Sequence, residues 1–319
     1  MKKTILSGVK PSGQAHLGNY FGAMKQFVDL QDHYTGYFMI ADLHALNTVQ
    51  DAKEMAENTL NLAIDYLAIG LDPQKSVIFK QSDVPAHTEL TWILNTIVTM
   101  PYLSRAHAFK DAEAKNKEVN VGTFDYPILM AADILLYDTD LVPVGKDQKQ
   151  HVEIARDIAE KFNRIYGQNG DTFKLPQELI KEETQTTPGI DGQKMSKSYK
   201  NYIPLFAEDD EIQKLVMSIV TDSSGGLPVN VYAIHQLFRS EDELKKIYAE
   251  HEGKYKVLKE LLAEDIKAFI RPLRERRKAI AADKKAVLRI LKEGGERARA
   301  QADMRLAVAK KNVGLTIEE

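Results

Sequence analysis

The sequence contains no cysteine among its 319 residues. This excludes disulfide bonds, thiolate metal sites and cysteine nucleophiles. The chain also contains no run of 18 apolar residues, which predicts that it has no transmembrane helix and no membrane partner. The N-terminal segment lacks the apolar stretch of a secretory signal, and we therefore expect a cytoplasmic protein.

No sign of charge dominates, because 43 Lys and Arg stand against 46 Asp and Glu, for a net charge of -3. Taken alone, this balance argues against a nucleic-acid partner. The average hides an asymmetry, since residues 267–311 hold 15 Lys and Arg against 5 Asp and Glu. Such a basic end either binds a polyanion or forms the solvated face of a long helix, and both interpretations stay open.

Short apolar segments alternate with amphipathic patterns in the first two-thirds of the chain. Strands are predicted at 4–8, 37–41, 76–80 and 141–145. Helices are predicted at 19–31, 52–69, 86–99, 126–137 and 150–166. This alternation predicts an α/β fold, with a Rossmann-like parallel sheet and helices on both of its faces.

Strand signals end near residue 206, and the later patterns are helical. Helices are predicted at 211–220, 241–250, 255–270, 273–291 and 296–311, with Gly294 and Gly295 breaking the pattern before the last one. The polar segment 167–193 is interpreted as a connector. We therefore expect a catalytic domain at 1–200 and an all-helical domain at 201–319, whose last helix could pack back on the catalytic domain.

The first segment that suggests chemistry is 11–19, which reads Pro-Ser-Gly-Gln-Ala-His-Leu-Gly-Asn and follows the first predicted strand. Ligands of parallel sheets bind beyond the carboxyl ends of strands, and the N–H groups at a helix start attract anions. Gly18 lets a ring or phosphate approach the backbone, and His16 can donate to a phosphate oxygen. The segment fits neither G-x-G-x-x-G nor the phosphate-loop pattern, and an ordinary turn stays an alternative.

The second segment is 194–198, which reads Lys-Met-Ser-Lys-Ser and follows Gly192. Its two lysines and two hydroxyls suit a loop that closes on a transferring phosphoryl group and stabilises its charge. Lysine runs are usually solvated surface, but this five-residue string is very specific.

Together the two segments resemble the paired signature of the class I aminoacyl-tRNA synthetases. The string at 16–19 is similar to the first motif of that family, usually His-Ile-Gly-His, and the string at 194–198 matches the second residue for residue. Further strings at 8–13, 18–23, 126–137 and 143–151 resemble the bacterial tryptophanyl branch of the family. The resemblance extends over most of the chain and is strongest up to about residue 200.

The resemblance implies a tryptophan-tRNA ligase, an enzyme that activates L-tryptophan with ATP and transfers it to the 3′-terminal ribose of tRNA(Trp). It implies ATP as a substrate and Mg²⁺ bound with ATP or pyrophosphate, without a dedicated metal site on the protein. It also implies a homodimer in which one tRNA spans two subunits and the helical domain reads the anticodon.

The resemblance also implies the residues of the site. The implied catalytic residues, which stabilise the phosphoryl group and the departing pyrophosphate, are His16, Lys194 and Lys197. The implied ATP-binding residues are Lys10, Pro11, Ser12, Gly18, Asn19, Gly145, Lys146, Asp147, Gln148, Lys194, Met195, Ser196, Lys197 and Ser198. The implied tryptophan-binding residues are Asp133, Met130 and His44.

Asp133 carries the choice of substrate in this interpretation. Indole offers one hydrogen-bond donor and no acceptor, so a carboxylate is a suitable partner. The residues around Asp133 are apolar, where a carboxylate without a partner is costly. Met130 lies three residues earlier on the same helix face and can form a wall against the ring. His44 follows the second strand, and a purely structural role for it stays open.

Two positions depart from the pattern of the family. Asn19 stands in place of the second histidine, and Ala108 stands where many relatives have a glutamine that meets the substrate. His107 is the candidate substitute for that glutamine, and Lys110 is a candidate phosphate contact.

Three other functions stay open at this point. They are a tyrosyl-tRNA synthetase, a small-molecule nucleotidyltransferase with a related histidine motif, and a catalytically silent RNA-binding relative. If the basic end binds tRNA, changes at Arg274, Arg276 and Arg277 should weaken tRNA charging and spare formation of the aminoacyl-adenylate.

Overall fold

A five-stranded parallel sheet forms the centre of the computed structural model, which describes residues 2–105, 120–145, 148–167, 170–180, 187–221 and 226–317. The strands are β1 Thr4–Val9, β2 Thr35–Ile40, β3 Ser76–Lys80, β4 Leu141–Pro143 and β5 Gln177–Leu179. Their order across the sheet is β3-β2-β1-β4-β5. From β1 the chain first adds β2 and β3 on one side of the sheet and then β4 and β5 on the other. The strand order therefore reverses between β1 and β4, which is where open parallel sheets bind their ligands.

Helices connect the strands, and the elements that the structure describes after β5 are all helices. The α-helices up to β5 are α1 Leu17–Asn19, α2 Lys25–Leu30, α3 Asp42–Ala45, α4 Ala52–Ala68, α5 Ala86–Asn95, α6 Met100–Leu103, α7 Val121–Leu135 and α8 Lys149–Tyr166. A π-helical turn, Tyr20–Met24, joins α1 to α2. The later helices are α9 Asp209–Met217, α10 Val229–His235, α11 Glu241–Glu250, α12 Tyr255–Ala282 and α13 Lys284–Asn312. None of the described helices is long and apolar enough to cross a membrane.

The strands send alternate side chains into two separate cores. Ile5 and Phe38 belong to the first core, whereas their neighbours Leu6 and Met39 belong to the second. Residues of α1, α2, α4 and α12 close the first core, and residues of α5, α7 and α8 close the second. Because helices cover both faces of a parallel sheet, the predicted Rossmann-like α/β fold is confirmed.

Helix α13 runs unbroken through Gly294 and Gly295, so the predicted break at these glycines is wrong. The helix lies against the edge strand β3, and a Cβ atom on Gly294 would lie 1.9 Å from the carbonyl oxygen of Ile78. The missing side chain lets the helix approach the strand backbone and cover the open edge of the sheet. Leu291 packs in the first core and Ala298 in the second, so α13 joins the two faces.

Other elements also differ from the sequence prediction. Helix α12 continues through Pro272 instead of ending before it. Helix α7 begins at Val121 because the Asn120 side chain accepts from the Thr123 N–H at 2.7 Å and caps the helix there. Strand β5 lies within the segment interpreted as a connector, and α10 was not predicted. The division into domains at residue 200 stays a prediction.

Candidate active site

A cavity of about 370 Å³ lies at the carboxyl ends of β1, β2 and β4. Its wall includes six residues predicted from the sequence, which are Lys10, His44, Met130, Asp133, Gly145 and Gln148. The structure therefore brings together residues from four separate segments at the place where the strand order reverses. A larger cavity of about 810 Å³ lies between α4 and α13 and contains none of the predicted site residues.

Asp133, on α7, lies at the bottom of the first cavity with 1% of its surface exposed. Its Oδ2 lies 2.8 Å from His44 Nε2, and its Oδ1 accepts from Gln81 Nε2 at 2.8 Å. Oδ1 also lies 2.6 Å from His87 Nδ1, and the Nε2 of that ring lies 2.8 Å from the Tyr137 hydroxyl oxygen. The carboxylate is therefore held by three side chains from three elements.

Two opposing effects set the charge of Asp133. Burial alone would raise its pKa, but the neighbouring His87 and His44 outweigh burial and hold the pKa of the carboxyl well below its usual value. Asp133 is thus an ionised, acceptor-only group at neutral pH. Such a group is suited to a ligand that presents a hydrogen-bond donor.

The sequence did not identify Gln81, His87 and Tyr137 as site residues. Gln81 directly follows β3, and its position after a buried strand is a signal that could have been used. His87 and Tyr137 are both fully buried and do not line the cavity, so no local pattern distinguishes them from core residues.

His16 begins the first helical segment and is 5% exposed. Its Nδ1 accepts from the Asn19 N–H at 3.3 Å, and the Asn19 Oδ1 accepts from the His16 N–H at 3.2 Å. This reciprocal cap explains why an asparagine at position 19 suits the motif. Because Nδ1 accepts, the ring proton lies on Nε2, which leaves an N–H donor for a ligand.

Burial, with the Lys197 ammonium nearby, lowers the pKa of His16 to about 4. His16 is therefore neutral at pH 7 and acts as a hydrogen-bond donor rather than as a cation. The absence of a side chain on Gly18 is required here, since a Cβ atom would lie 3.0 Å from His16 Nδ1 and 3.3 Å from Met195 Cβ.

The loop at 194–198 lies directly against the first motif. Lys197 Nζ donates to the carbonyl oxygens of Ser12 at 3.1 Å and Gly13 at 2.8 Å. The Gly18 N–H donates to the Met195 sulfur at 3.2 Å. The two motifs are separated by about 180 residues in the sequence and are in direct contact in the structure.

The remaining residues of the loop differ in exposure. Lys194 and Ser198 are exposed, Ser196 is half-buried, and Met195 is buried. Burial lowers the pKa of Lys197. Burial also lowers the pKa of Lys10, which lines the cavity two residues before Ser12. The segment 10–13, in which Pro11 is buried, thus connects the cavity to Lys197.

Five residues considered from the sequence lie outside the described ranges. They are the predicted ATP contacts Lys146 and Asp147 and the candidates His107, Ala108 and Lys110.

The arginines of the basic end have partners within the chain. Arg274 is 6% exposed and donates to the segment just before and at the start of α9. Arg276 and Arg277 both donate to α4, where Arg277 pairs with the buried Asp65 at 2.6 Å. The contacts of Arg276 and Arg277 fasten α12 to α4, and those of Arg274 fasten it to α9. A role of these arginines in tRNA binding stays a prediction.

Comparison with known proteins gives the family. The sequence model of the family described as tRNA synthetases class I (W and Y) matches residues 2–287. A tryptophan--tRNA ligase of Fusobacterium nucleatum is 48% identical over 98% of this chain and 98% of its own length. A tryptophan--tRNA ligase of Rhodopirellula baltica is 44% identical over 98% of this chain and 99% of its own length.

A solved structure agrees with these relatives. The tryptophanyl-tRNA synthetase of Campylobacter jejuni, complexed with ADP and tryptophan, superposes with a TM-score of 0.89 at 41% identity. The match covers 98% of this chain and 99% of that one. The chain therefore belongs to the class I tRNA synthetases, in the group that comprises the tryptophan and tyrosine enzymes.

Proposed function

We propose that the protein is a tryptophan-tRNA ligase that activates L-tryptophan with ATP and then charges tRNA(Trp). The observation that carries this proposal is the ionised, buried Asp133 at the bottom of the cavity. A charge-assisted hydrogen bond from the indole N–H to this carboxylate would contribute about 1.5–3 kcal/mol. The similarity to two named tryptophan--tRNA ligases over nearly the full chain supports the same substrate.

The cavity provides the amino-acid end of the proposed site. Its volume of about 370 Å³ lies within the usual range for small-ligand sites. Met130 lies on the same face of α7 as Asp133 and would pack against the indole ring. His44 would contact the ligand beside Asp133, because its ring already bonds Oδ2 of that carboxylate.

ATP would bind between the cavity and the loop at 194–198. The proposed ATP contacts are Lys10, Pro11, Ser12, Gly18, Asn19, Gly145, Lys146, Asp147, Gln148, Lys194, Met195, Ser196, Lys197 and Ser198. The contact between Lys197 and the segment 10–13 supports this placement, since both segments are predicted to hold the nucleotide. The C. jejuni relative, solved with ADP and tryptophan, supports ATP as the second substrate.

The reaction needs no protein nucleophile. The tryptophan carboxylate attacks the α-phosphorus of ATP, tryptophanyl-adenylate forms, and pyrophosphate leaves. His16 Nε2–H would donate to the phosphoryl group in flight, and Lys194 and Lys197 would neutralise the departing pyrophosphate. The 2′-OH of the terminal ribose of tRNA then attacks the acyl carbon of the adenylate and loses its proton, an ester forms, and AMP leaves.

Mg²⁺ would enter the site with the phosphates of ATP. The described residues contain no group of three or more histidine, aspartate or glutamate side chains that could hold a metal ion. In this proposal Mg²⁺ is bound mainly by phosphate oxygens and water, without a dedicated site on the protein. The substrates, ATP and tRNA, favour a cytoplasmic location.

We also propose that the enzyme is a homodimer. Trp92 on α5 is 74% exposed, Met100 on α6 is 66% exposed, and Val121 at the start of α7 is 81% exposed. These helices pack together, since α5 and α6 both contact α7. A second copy of the chain would cover these large apolar side chains.

Pyrophosphate exchange with each of the twenty amino acids tests the proposed function. We expect tryptophan-dependent exchange and tryptophan charging of tRNA. Exchange with tyrosine and none with tryptophan would show the tyrosyl enzyme, and no exchange with any amino acid would show a catalytically silent relative. The family match disfavours a small-molecule nucleotidyltransferase.

A further inference from the structure

Two fully buried side chains lie behind Asp133, and the proposed function gives them no role. His87, on α5, is 0% exposed, and Tyr137, just after α7, is 1% exposed. His87 Nδ1 lies 2.6 Å from Asp133 Oδ1, and His87 Nε2 lies 2.8 Å from the Tyr137 hydroxyl oxygen. Neither side chain lines the cavity, and the hydrogen bond between His87 and Asp133 links both of them to it.

The hydrogen bond between His87 Nδ1 and Asp133 Oδ1 has only one possible direction. The ionised carboxylate only accepts, so the Nδ1 of His87 carries a proton and donates it. When the ring is neutral, Nε2 accepts from the Tyr137 hydroxyl. When the ring is an imidazolium, Nε2–H donates to the hydroxyl oxygen. In both states His87 Nδ1–H holds Asp133 Oδ1.

The acceptor capacity of Asp133 is nearly used by the protein. A carboxylate has about four acceptor positions. Oδ1 accepts from His87 and from Gln81 at 2.8 Å, and Oδ2 accepts from His44 at 2.8 Å. Within the described ranges no further donor reaches this carboxylate, so one position is left on Oδ2. Because Asp133 and His44 both line the cavity, a ligand reaches the carboxylate at this position.

The orientation of Gln81 is also fixed. Its Nε2 donates to Asp133 Oδ1, and its Oε1 accepts from the backbone N–H of His44 at 3.4 Å. Gln81 is 0% exposed, so water does not compete for these bonds. Oδ1 is therefore held by two donors that cannot turn away, and the carboxylate is fixed in one orientation.

We propose that His87 is a positioning residue that makes Asp133 selective for a substrate N–H, with Tyr137 holding the imidazole from behind. This inference rests on the proposed function, because the N–H concerned is that of indole. A substrate without a donor leaves the last acceptor position of a buried carboxylate unpaired, and the enzyme rejects it for that reason.

A matched pair of variants, His87→Asn and His87→Leu, tests this role. The two new side chains have nearly the same shape, but asparagine keeps an N–H donor near the place of Nδ1. Pyrophosphate exchange is measured with tryptophan and with 3-(benzothiophen-3-yl)alanine, in which sulfur replaces the indole N–H. We expect His87→Leu to raise the KM for tryptophan about tenfold with little change in kcat. The preference for tryptophan over the analogue should also fall about tenfold, whereas His87→Asn should keep both values within about threefold.

A purely structural role predicts a different result. If His87→Leu keeps the wild-type preference, or His87→Asn loses as much as His87→Leu, the proposal is wrong. Tyr137→Phe provides a second test that keeps the ring, and it should lower the preference about threefold. An unchanged preference in Tyr137→Phe would contradict the role of Tyr137 and, if His87→Leu does not fold, the proposal as a whole.

The wild-type protein separates this proposal from the proposed function. Wild-type protein that shows no tryptophan-dependent exchange contradicts the proposed function itself. Wild-type exchange with tryptophan, together with an unchanged preference in the variants, contradicts only the role of His87.

Discussion

The two ends of the proposed site are built differently. The amino-acid end is the cavity that contains Asp133, and the phosphate end comprises the segments 10–19 and 194–198. At the amino-acid end, three side chains hold the oxygens of Asp133, which is 1% exposed. At the phosphate end, Lys194 is exposed, and the Lys197 ammonium donates to two backbone carbonyl oxygens. A buried and bonded group keeps one geometry, whereas carbonyl contacts to an ammonium can be exchanged for phosphate oxygens.

The two ends would therefore have different tasks. In the proposed function, Asp133 selects the amino acid, and the folded protein already holds its carboxylate in place. The groups proposed to stabilise the transition state come from two distant motifs, which would meet around the nucleotide. Changes at the amino-acid end should therefore alter the KM for tryptophan, and changes at the phosphate end should alter kcat.

The largest effect is expected for Lys197→Ala, which removes an ammonium from the phosphate end. Loss of one charge-stabilising group should lower kcat for tryptophan-dependent pyrophosphate exchange about 10³-fold. Tryptophan binding, measured by equilibrium titration, should change less than about twofold, because Lys197 does not line the cavity. Lys214→Ala, an exposed lysine on α9, is the control and should behave as wild type. Unchanged exchange in Lys197→Ala would show that the loop at 194–198 does not stabilise the reacting phosphates.

The second prediction concerns the buried histidine of the phosphate end. The pKa of His16 is about 4 in the folded protein, because of burial first and then Lys197, against an ordinary value of 6.5. The unfolded chain therefore binds a proton that the folded protein does not, and stability is lost as the pH falls from 6.5 towards 4. The free energy of unfolding should fall by about 3 kcal/mol more in wild type than in His16→Asn between pH 7 and pH 4.

Urea denaturation at several pH values measures this difference. The asparagine in His16→Asn keeps an acceptor for the Asn19 N–H, so the cap is retained. His33→Asn changes an exposed histidine and should follow the pH dependence of wild type. If wild type and His16→Asn lose stability in parallel, His16 is not buried as the structure places it.

The third prediction concerns Asp133→Asn at the amino-acid end. The amide keeps the shape but removes the charge, so the KM for tryptophan should rise about 30-fold, which corresponds to about 2 kcal/mol. Saturating tryptophan should restore most of kcat. Asp125→Asn, on the same helix, is the control. A loss in kcat without a change in KM would contradict the division between the two ends.

The smallest effect is expected for Arg276→Met, outside both ends. The guanidinium donates to one backbone carbonyl of α4 at 3.2 Å, so its loss should lower the free energy of unfolding by about 1 kcal/mol. The ratio of tRNA charging to pyrophosphate exchange should stay as in wild type. A fall in charging alone would restore the interpretation of this arginine as a tRNA contact.

Local patterns predicted much of the fold. Strand β3 was predicted at 76–80, where the structure has it, and α11 at 241–250, because apolar periodicity and caps act over a few residues. The glycines at 294 and 295 misled the prediction. Gly294 lacks a side chain because the helix packs there against the backbone of Ile78, more than 200 residues earlier in the sequence. Local sequence patterns do not reveal a contact over that separation.

For the candidate site, too, the sequence singled out some residues and missed others. The two motifs and Asp133 were found because they are contiguous strings with specific chemistry. Gln81 and His87 were missed because their role depends on meeting Asp133 from other elements. The contacts of Arg274, Arg276 and Arg277 could not be predicted for the same reason, since their partners lie on α4, just before α9 and at its start.

One measurement tests the separation of the two ends most directly. It is the preference for tryptophan over 3-(benzothiophen-3-yl)alanine in pyrophosphate exchange, compared between wild type and Lys197→Ala. If selection lies with Asp133 and rate with the loop, both substrates slow by the same factor and the preference changes less than about twofold. A preference that collapses in Lys197→Ala would show that the loop takes part in selecting the amino acid and would contradict the account.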